Sequence, residues 1–375
     1  CSVAIDGNTV VVGAYDDVNN AASQWSSAHV FRTDDGGATY VEVARLTPEA
    51  EYDGFGVSVA ISGETVVVGA YRKEAHRGAA YVYRPSDDGA TYSQVAKLVP
   101  ADAANIDKVG WSVAIDGGTV VVGAPEDDDG GSDSGSAYVF RTTNGGASWN
   151  ETAKLVASDA AKNDYFGYSV SISGDVIVVG ANGDDDKGSN SGSAYVFAKD
   201  GSTWAKQAKL ELEPAIEGAR FGSAVAASGQ VVAVGTGEVY PGAVHVFTGG
   251  AGGWAKIQEL DAEPDGDVDW CFGQSLALEG RGPAEGPCAE SGVLVVGSPQ
   301  TCDGNNLHEG RAYVYRSDGA AFVLEATLTA DEPRDDFGRS IGTATRYFGN
   351  GVAMTGDATL VVAFDDDAGV FARCE

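Results

Sequence analysis

The sequence predicts an all-β fold built from tandem four-stranded units, and three observations support this prediction. A glycine-containing motif recurs along the whole chain at intervals of 51 to 65 residues. Each copy is followed by short runs of valine and aromatic residues, which are typical of β-strands. Glycine contributes 52 of the 375 residues, and no stretch shows the period of about 3.6 residues that marks an amphipathic helix.

The recurring motif has the form Phe-Gly-x-Ser followed by small and β-branched residues. Copies of the motif begin at Phe55, Val109, Phe166, Phe221, Phe272 and Phe337. Residues 1–5 carry the end of the same motif, so the sequence contains seven copies. A fixed repeat of this length indicates one structural unit used several times.

Each repeat is predicted to form four antiparallel strands. The first is the motif itself, and a tight Asp-Gly or Ser-Gly turn joins it to a valine-rich second strand such as 66–70. The third strand follows the pattern of residues 137–140. The fourth, such as 149–155, alternates and is more polar, so we expect it at an exposed edge.

Four-stranded units of about 50 residues in tandem predict a seven-bladed β-propeller. A linear solenoid is the alternative, but its repeats are typically shorter and its ends need caps. We assign the chain to one domain, with repeats at about 1–54, 55–108, 109–165, 166–220, 221–271, 272–336 and 337–375.

The last predicted blade lacks a fourth strand. Its three strands are expected at 340–341, 360–363 and 369–371, after which the sequence ends. The only methionine is Met354, so we expect this sequence to be a fragment of a larger protein. The last blade then has three strands, or receives one from an upstream segment.

These motifs resemble the FG-GAP repeat of integrin α-subunit propellers and of their microbial and algal relatives. Gly123-Ala124-Pro125 is close to the second half of that family's pattern. The resemblance implies a propeller used in adhesion, in scaffolding or in some enzymes. Integrin-type propellers hold Ca²⁺ in the hairpin between strands one and two, whereas here Asp6-Gly7 and its equivalents are too short to surround a cation.

A second resemblance concerns the hairpin between strands three and four. The residues Thr33, Asp35 and Gly37, and likewise Thr142 and Asn144, are similar in spacing to the Asp-box of sialidase-like propellers. We interpret these segments as structural turns in which the Asp or Asn side chain caps backbone N–H groups.

The charge of the chain excludes some classes of partner. There are 55 acidic residues against 24 Lys and Arg, for a net charge of −31. Such a surface repels nucleic acid and anionic lipid, so we expect neither as a partner, and no apolar run is long enough to enter a membrane. The loops after strands two and four share one face of a propeller, and they carry about −27 of this charge.

Two acidic loops on this face have spacing that suits a calcium ion. The candidate ligands are Asp127, Asp129 and Asp133 in the third repeat, and Asn182, Asp184, Asp186 and Asn190 in the fourth. Few carboxylates in an extracellular loop predict only weak Ca²⁺ binding. The alternative is that these are solvated turns without a bound ion.

No catalytic motif is present in the sequence. His29 and His245 take the place of a third-strand tyrosine, so we expect them to pack rather than react. His76 and His308 have no evident partner, and Arg339 is the only arginine in the first-strand segments. A pair of catalytic carboxylates could lie among so many acidic residues, but sequence alone does not show which are close in space.

The cysteines indicate an oxidising compartment. Propeller topology places Cys271 near Cys302, and Cys288 near Cys374, which leaves Cys1 without a partner in this sequence. Two disulfides of this kind are typical of a secreted or cell-surface protein.

Together these features predict an extracellular, non-enzymatic binding or adhesion module. Its ligand is expected to be a protein or a glycan at the acidic loop face, with Ca²⁺ as an assisting ion. Two alternatives remain: a polysaccharide-acting hydrolase or lyase on a propeller scaffold, and a structural surface or matrix protein whose charge provides hydration or cation bridging.

Overall fold

A computed structural model describes the chain at 2–15, 26–37, 39–47, 53–86, 91–237, 242–250, 253–261, 271–280, 292–299, 310–317, 321–329, 351–354, 360–364 and 367–371. Within these ranges the strands form six four-stranded antiparallel sheets and one three-stranded sheet. In every sheet the spatial order of the strands follows the order of the chain. No helix among the described residues is both long enough and apolar enough to cross a bilayer.

The first four sheets contain sixteen strands. Sheet one is β1 (Ser2–Asp6), β2 (Thr9–Ala14), β3 (Ser27–Arg32) and β4 (Val41–Leu46). Sheet two is β5 (Phe55–Ser62), β6 (Thr65–Ala70), β7 (Ala80–Pro85) and β8 (Tyr92–Leu98), with one helical turn, α1 (Lys73–His76), after β6. Sheet three is β9 (Val113–Asp116), β10 (Thr119–Ala124), β11 (Ser136–Arg141) and β12 (Asn150–Leu155). Sheet four is β13 (Phe166–Ser173), β14 (Val176–Ala181), β15 (Ser193–Asp200) and β16 (Thr203–Leu210).

The remaining sheets contain eleven strands. Sheet five is β17 (Ala224–Ser228), β18 (Val231–Gly235), β19 (Ala243–Gly250) and β20 (Gly253–Asp261). Sheet six is β21 (Ser275–Glu279), β22 (Val293–Ser298), β23 (Arg311–Ser317) and β24 (Phe322–Thr329). Sheet seven is β25 (Gly351–Met354), β26 (Leu360–Phe364) and β27 (Asp367–Phe371).

The first strands of the sheets surround a central axis. Each of them contacts the first strand of the next sheet, and β25 contacts both β21 and β1. Val352 packs against sheet six, and Ala353 packs against Ile5 and Val10 of sheet one, which closes the ring. Second strands such as β10 are fully buried. Fourth strands such as β12 are largely exposed, as the sequence predicts.

The prediction of seven blades is correct only in part. Six blades have four strands, and the last sheet has three. The first strand of this sheet is expected at 340–341, but among the described residues it is Gly351–Met354 that pairs with β26. A tight hairpin requires its first strand directly before the turn, so the strand lies next to residues 355–359 rather than next to the Phe337 motif. Residues 340–341 lie outside the described part of the chain.

The described phenylalanines of the motif are buried between neighbouring blades. Phe166 is fully buried and packs in one cluster with Val121 and Val139 of sheet three and Ile177 and Tyr195 of sheet four. Its ring lies 5.3 Å from that of Tyr195, in an edge-to-face arrangement. Phe55, Val109, Phe221 and Phe272 are also fully buried.

The glycine of the motif allows two backbones to meet at the junction between blades. Gly167 has φ +92°, and a Cβ there would lie 2.2 Å from the carbonyl oxygen of Ser136 in the preceding blade. A Cβ on Gly123 of that blade would lie 2.0 Å from the carbonyl oxygen of Gly167. Ser112 Oγ, also of the preceding blade, donates a hydrogen bond of 2.8 Å to this oxygen. A larger residue at either glycine would therefore separate the blades.

A second row of hydrogen bonds joins the blades at the opposite end of the strands. In the turns between strands one and two, an Asp or Ser side chain accepts a hydrogen bond from a glycine N–H in the next blade. Asp6 thus accepts from Gly63 at 2.5 Å, and Ser62 accepts from Gly117 at 3.0 Å. The contact recurs from Asp116 to Gly174, from Ser173 to Gly229 and from Ser228 to Gly280.

Gly167→Ala tests whether the close approach of the two backbones stabilises the junction, and Gly117→Ala serves as the matched control. We expect the substitution to lower the free energy of unfolding by roughly 3 kcal/mol or more, because it adds a backbone clash to the cost of a positive φ. Gly117 also has a positive φ, but a Cβ there meets nothing within 4 Å, so Gly117→Ala should cost only about 1 kcal/mol. Urea unfolding of both variants provides the comparison, and equal losses would contradict the close approach.

Candidate binding cleft and acidic rim

The loops after strands two and four meet at one end of the propeller. The loop after β10 lies beside the loop that leads into β13, with Asn163 N–H donating to the carbonyl of Ser132 at 2.9 Å. Gly218 N–H contacts Ser189 in the same way one blade further on. The two acidic loops singled out from the sequence therefore lie at this end, near the start of the first strands.

The candidate calcium ligands of the third repeat already accept hydrogen bonds within the protein. Asp127 is 3% exposed. Its Oδ2 accepts from Tyr138 at 2.7 Å and its Oδ1 from Asp129 N–H at 3.0 Å. The backbone of Asp133 instead contacts the next blade, where its carbonyl accepts the N–H of Tyr165.

The fourth repeat has the same arrangement. Asp184 accepts from Tyr195 at 2.9 Å and from Asp186 N–H at 3.0 Å. The Asn190 carbonyl accepts the N–H of Arg220. Asn182 has a different partner, because its Nδ2 donates a hydrogen bond of 3.3 Å to Ser223 Oγ.

A lysine ammonium lies at the centre of each group of carboxylates. Lys154 Nζ lies 2.9 Å from Asp102, 3.1 Å from Asp127 and 2.5 Å from Asp129. Lys209 Nζ repeats this set in the next blade, at 2.9 Å from Asp159, 2.9 Å from Asp184 and 2.6 Å from Asp186. We call these two groups the rim clusters. They supply a fixed positive charge where the sequence suggested a metal.

The charges within the rim clusters are strongly coupled. Burial disfavours the ammonium of Lys209, but contacts with Asp186, Asp184 and Asp159 outweigh burial and raise its pKa. Burial and the neighbouring carboxylates Asp184 and Asp159 raise the pKa of Tyr195. Both effects hold the cluster as a charged ammonium with a neutral phenol.

No group of three or more His, Cys, Asp or Glu side chains in the described ranges is arranged to hold a metal. An ion bound between Asp127 and Asp129 would compete with the ammonium of Lys154, and calcium binding stays a prediction. Sequence reasoning missed Lys154 and Lys209. The available signal was the repeated Ala-Lys-Leu at the end of the fourth strand, which also occurs at Lys97.

A shallow cleft lies next to the rim clusters, closer to the axis. It has a volume of about 270 Å³. Residues that line it include Lys108, Trp111, Glu126, Tyr168, Asn182 and Arg220. We call it the axial cleft. Trp111 and Tyr168 directly follow the motif glycines Gly110 and Gly167, so they stand at the start of the first strands.

Aromatic rings and a lysine ammonium contact one another along the wall of the axial cleft. Trp111 lies 5.6 Å from Tyr168, with the rings tilted by 45°, and 5.1 Å from Tyr71 in an edge-to-face contact. The ammonium of Lys108 is 5.4 Å from the centre of the Trp111 ring and 2.5 Å from Glu126 Oε1. This packing fixes the orientation of Trp111 at the wall of the axial cleft.

Four residues that line the axial cleft, Lys108, Tyr165, Asn190 and Arg220, have a left-handed backbone conformation, and all of them except Asn190 occupy equivalent positions in adjacent repeats. Lys108, Tyr165 and Arg220 have φ of +56°, +55° and +49°. Each stands two residues before a motif glycine, where the second blade has Gly54. Glycine is required there because a Cβ would lie 2.7 Å from the Tyr71 ring. A non-glycine residue in this region costs of order 1–3 kcal/mol, and such residues cluster at functional sites.

Buried aspartates precede two of these residues. Asp107 and Asp164 are 5% and 3% exposed, and each accepts a hydrogen bond from a backbone N–H in its own loop. Burial raises the pKa of Asp164 to about 6, with a further contribution from the charges of Asp184 and Asp186. Burial likewise raises the pKa of Asp107 to about 6. The equivalent Asp53 is ion-paired with Lys73 at 3.0 Å instead.

The histidines on the third strands have structural contacts. His245 is 3% exposed and packs edge-to-face on Phe221 at 5.6 Å, and burial lowers its pKa to about 4. His29 contacts Glu42 at 2.8 Å and Ser27 at 2.9 Å. Neither lines the axial cleft. His308 lies outside the described residues, as do Arg339, Cys1, Cys288, Cys302 and Cys374, so the predicted disulfides stay predictions.

The hairpins between strands three and four are closed by side-chain caps. Asp35 Oδ1 accepts from Thr39 N–H at 3.0 Å, and Asn144 Oδ1 accepts from Ser148 N–H at 3.0 Å. The hydroxyls of Thr33 and Thr142 accept from Gly37 and Gly146. These contacts give both segments a structural role at the end of the propeller away from the axial cleft.

Comparison with known proteins agrees with the architecture. The family model of the FG-GAP repeat matches residues 40–83, 92–140 and 149–197. Three segments of this β-propeller, in its first four sheets, therefore match the FG-GAP repeat. No curated protein matches the sequence.

Solved structures share the fold at low sequence identity. A putative 6-phosphogluconolactonase from Bacteroides uniformis is 15% identical, with a TM-score of 0.58, over 99% of this chain and 93% of its own. A putative 6-phosphogluconolactonase from Bacteroides fragilis is 14% identical, with a TM-score of 0.59, over 98% and 91%. Saccharomyces cerevisiae Sqt1 is 12% identical, with a TM-score of 0.51, over 99% and 81%. At these identities the likeness concerns the fold alone.

Lys209→Met tests the fixed-cation role of the rim clusters. The variant keeps the apolar stem but leaves Asp159, Asp184 and Asp186 without their ammonium. We expect a loss of about 3 kcal/mol, typical of one partner removed from a buried ion pair. We also expect millimolar Ca²⁺ to raise the melting temperature of the variant more than that of the wild type, compared with Na⁺ at equal ionic strength.

Lys187→Met is the matched control for this experiment. Lys187 is 42% exposed and lies 3.5 Å from Glu213, so its loss should cost less than about 1 kcal/mol. If both variants respond equally to Ca²⁺, the carboxylates around Lys209 do not form a cation site.

The raised pKa values of Asp107 and Asp164 predict a pH dependence. Because the folded-state pKa of about 6 exceeds the ordinary value of 3.8, the folded protein binds these protons more tightly than the unfolded chain. Their contribution to stability therefore rises as the pH falls from about 7 towards 4, and it is lost as the pH rises through 6. Asp107→Asn with Asp164→Asn should stabilise the protein at pH 7.5 by about 1 kcal/mol or more and have little effect at pH 4.5.

Thermal unfolding at several pH values measures this difference. Asp200→Asn, at an exposed hairpin turn, serves as the control for removal of one surface charge. A double variant that follows the pH profile of Asp200→Asn would contradict the role of the two buried carboxyls.

Proposed function

We propose that the protein is a non-enzymatic binding module, secreted or at a cell surface, that takes its ligand in the axial cleft. The observation that carries this proposal is the left-handed backbone at Lys108, Tyr165 and Arg220. Three adjacent repeats retain a side chain there, at an energetic cost, and all three side chains line the same cleft. Lys108 also pairs with Glu126 in the wall of the cleft, but contact with a ligand would account for a side chain at all three strained positions.

The rim clusters have a supporting role in this proposal. Their carboxylates are already bound to Lys154 and Lys209, so they are poorly placed to contact a ligand directly. They fix the loops that carry Tyr165 and Arg220 through the carbonyls of Asp133 and Asn190. The remaining negative charge of the face repels polyanions and favours a neutral or cationic protein or glycan as ligand. Ca²⁺ would assist by binding weakly at the same face.

The residues that line the cleft favour binding over catalysis. Glycoside hydrolysis requires two carboxyl groups about 5–10 Å apart across the scissile bond. Among the described residues that line the cleft, Glu126 is the only carboxylate, and its Oε1 is 2.5 Å from Lys108 Nζ. The structural similarity to putative 6-phosphogluconolactonases is the reason to test hydrolysis directly.

Two printed arrays test the binding role, one of glycans and one of extracellular protein domains. We expect labelled wild-type protein to be retained by features of at least one array, and Trp111→Ala to lose them. Trp149→Ala is the control, because Trp149 lies in the hairpin before β12, at the opposite end of sheet three. No retained feature, or features that Trp111→Ala still binds, would refute the proposal.

Acid release from 6-phosphogluconolactone tests the enzymatic alternative. We expect the wild type to release acid at the rate of buffer alone. A faster rate that is lost in Trp111→Ala would replace binding by catalysis as the function of the cleft.

A further inference from the structure

We infer that the ligand of the axial cleft is a neutral glycan, and this inference rests on the proposed binding role of the cleft. Its first support is the aromatic wall. Tyr165, Tyr168 and Trp111 all line the cleft and are only partly buried. One face of a sugar ring consists of C–H groups, which pack on aromatic rings, while the ring edge carries hydroxyls that need hydrogen-bond partners.

The second support is the set of polar groups beside these rings. Asn182, Asn190 and Arg220 line the cleft together with Glu126. Each has a planar head with two or more donor or acceptor atoms, a geometry that can bond two neighbouring hydroxyls at once. Arg220 and Asn190 are held together by the hydrogen bond of 2.9 Å between their main chains, so their side chains start from fixed positions.

The third support is the absence of an apolar pocket for a peptide side chain. Of the described residues that line the cleft, none is Leu, Ile, Val, Met or Phe. Peptide recognition depends on a hydrophobic groove, an open strand edge or pockets for anchoring side chains. A volume of about 270 Å³ is also below the lower limit of about 300 Å³ for a typical drug-sized site, so only a short part of a ligand enters the cleft.

The charges indicate why the glycan is neutral. The ammonium of Lys108 is engaged by Glu126 at 2.5 Å, so an acidic sugar that bound Lys108 would have to displace this carboxylate. It would also approach a protein of net charge −31, whose field disfavours anions at low ionic strength. A neutral sugar meets neither obstacle.

Isothermal titration with defined oligosaccharides tests the inference. The probes are cellohexaose, xylohexaose, mannohexaose and maltohexaose, with hexaguluronate as the anionic counterpart and a pool of decapeptides as the peptide counterpart. We expect at least one neutral hexasaccharide to bind, and Trp111→Ala and Tyr168→Ala to weaken it about tenfold, the effect of losing one aromatic contact. Hexaguluronate should bind more weakly, and the decapeptides should not bind.

Two further variants keep the test decisive. Trp149→Ala should bind like the wild type. Arg220→Ala, at an exposed loop position, should also weaken binding, and it replaces Trp111→Ala if that variant does not fold.

The outcomes separate the inference from the function on which it rests. Decapeptides or arrayed proteins bound in a Trp111-dependent manner, with no sugar bound, would overturn the glycan and leave the binding role intact. Hexaguluronate bound more tightly than every neutral sugar would overturn neutrality. If neither sugars, peptides nor arrayed proteins bind in a Trp111-dependent manner, the proposed function fails together with the inference.

Discussion

The close approach of two glycine backbones at the described junctions, from sheet one to sheet six, is the contact on which the propeller depends. Gly123 and Gly167 meet where a single Cβ would overlap a carbonyl oxygen, and the serine of the preceding motif bonds to that oxygen. Phe166, directly before Gly167, packs in the space between the two sheets. At the junction of sheets three and four, one short motif thus supplies backbone fit, a polar tie and a hydrophobic contact.

The axial cleft is a consequence of the same junction. The motif fixes the phenylalanine and the glycine, while the residue before the phenylalanine and the residue after the glycine differ between repeats. These flanking positions hold Lys108 and Trp111 in one repeat, and Tyr165 and Tyr168 in the next. Because the first strands surround the axis, the flanking side chains meet at its end. The repeats that build the ring therefore place variable side chains on a common surface.

The rim clusters show how a very acidic face can be stable. Each lysine lies on the outermost strand of its blade and reaches across to carboxylates of two loops. In each cluster the lysine ammonium joins two neighbouring loops by contacting a carboxylate in both. Self-repulsion among so many carboxylates is reduced locally, and the loops that support the axial cleft are held in place.

Much of this architecture could be predicted from local sequence. The Phe-Gly motif, the valine-rich second strands and the Asp-Gly and Ser-Gly turns recur at a fixed spacing, and each specifies its structure within a few residues. The first strand of the last sheet could not be placed in this way. Phe337 suggested a strand at 340–341, but the hairpin contact with β26 selected Gly351–Met354.

The candidate site depended on contacts that sequence does not reveal. Asp127 and Asp129 have the spacing of metal ligands, yet Lys154, 25 residues after Asp129, contacts both carboxylates. Trp111 and Arg220 line one cleft although 109 positions separate them in the chain. The sequence by itself determined the repeat, the strands and the sign of the surface charge, because these follow from neighbouring residues. Which carboxylates meet a lysine, and which side chains share a cleft, was decided by the ring, because only closure around an axis brings distant repeats into contact.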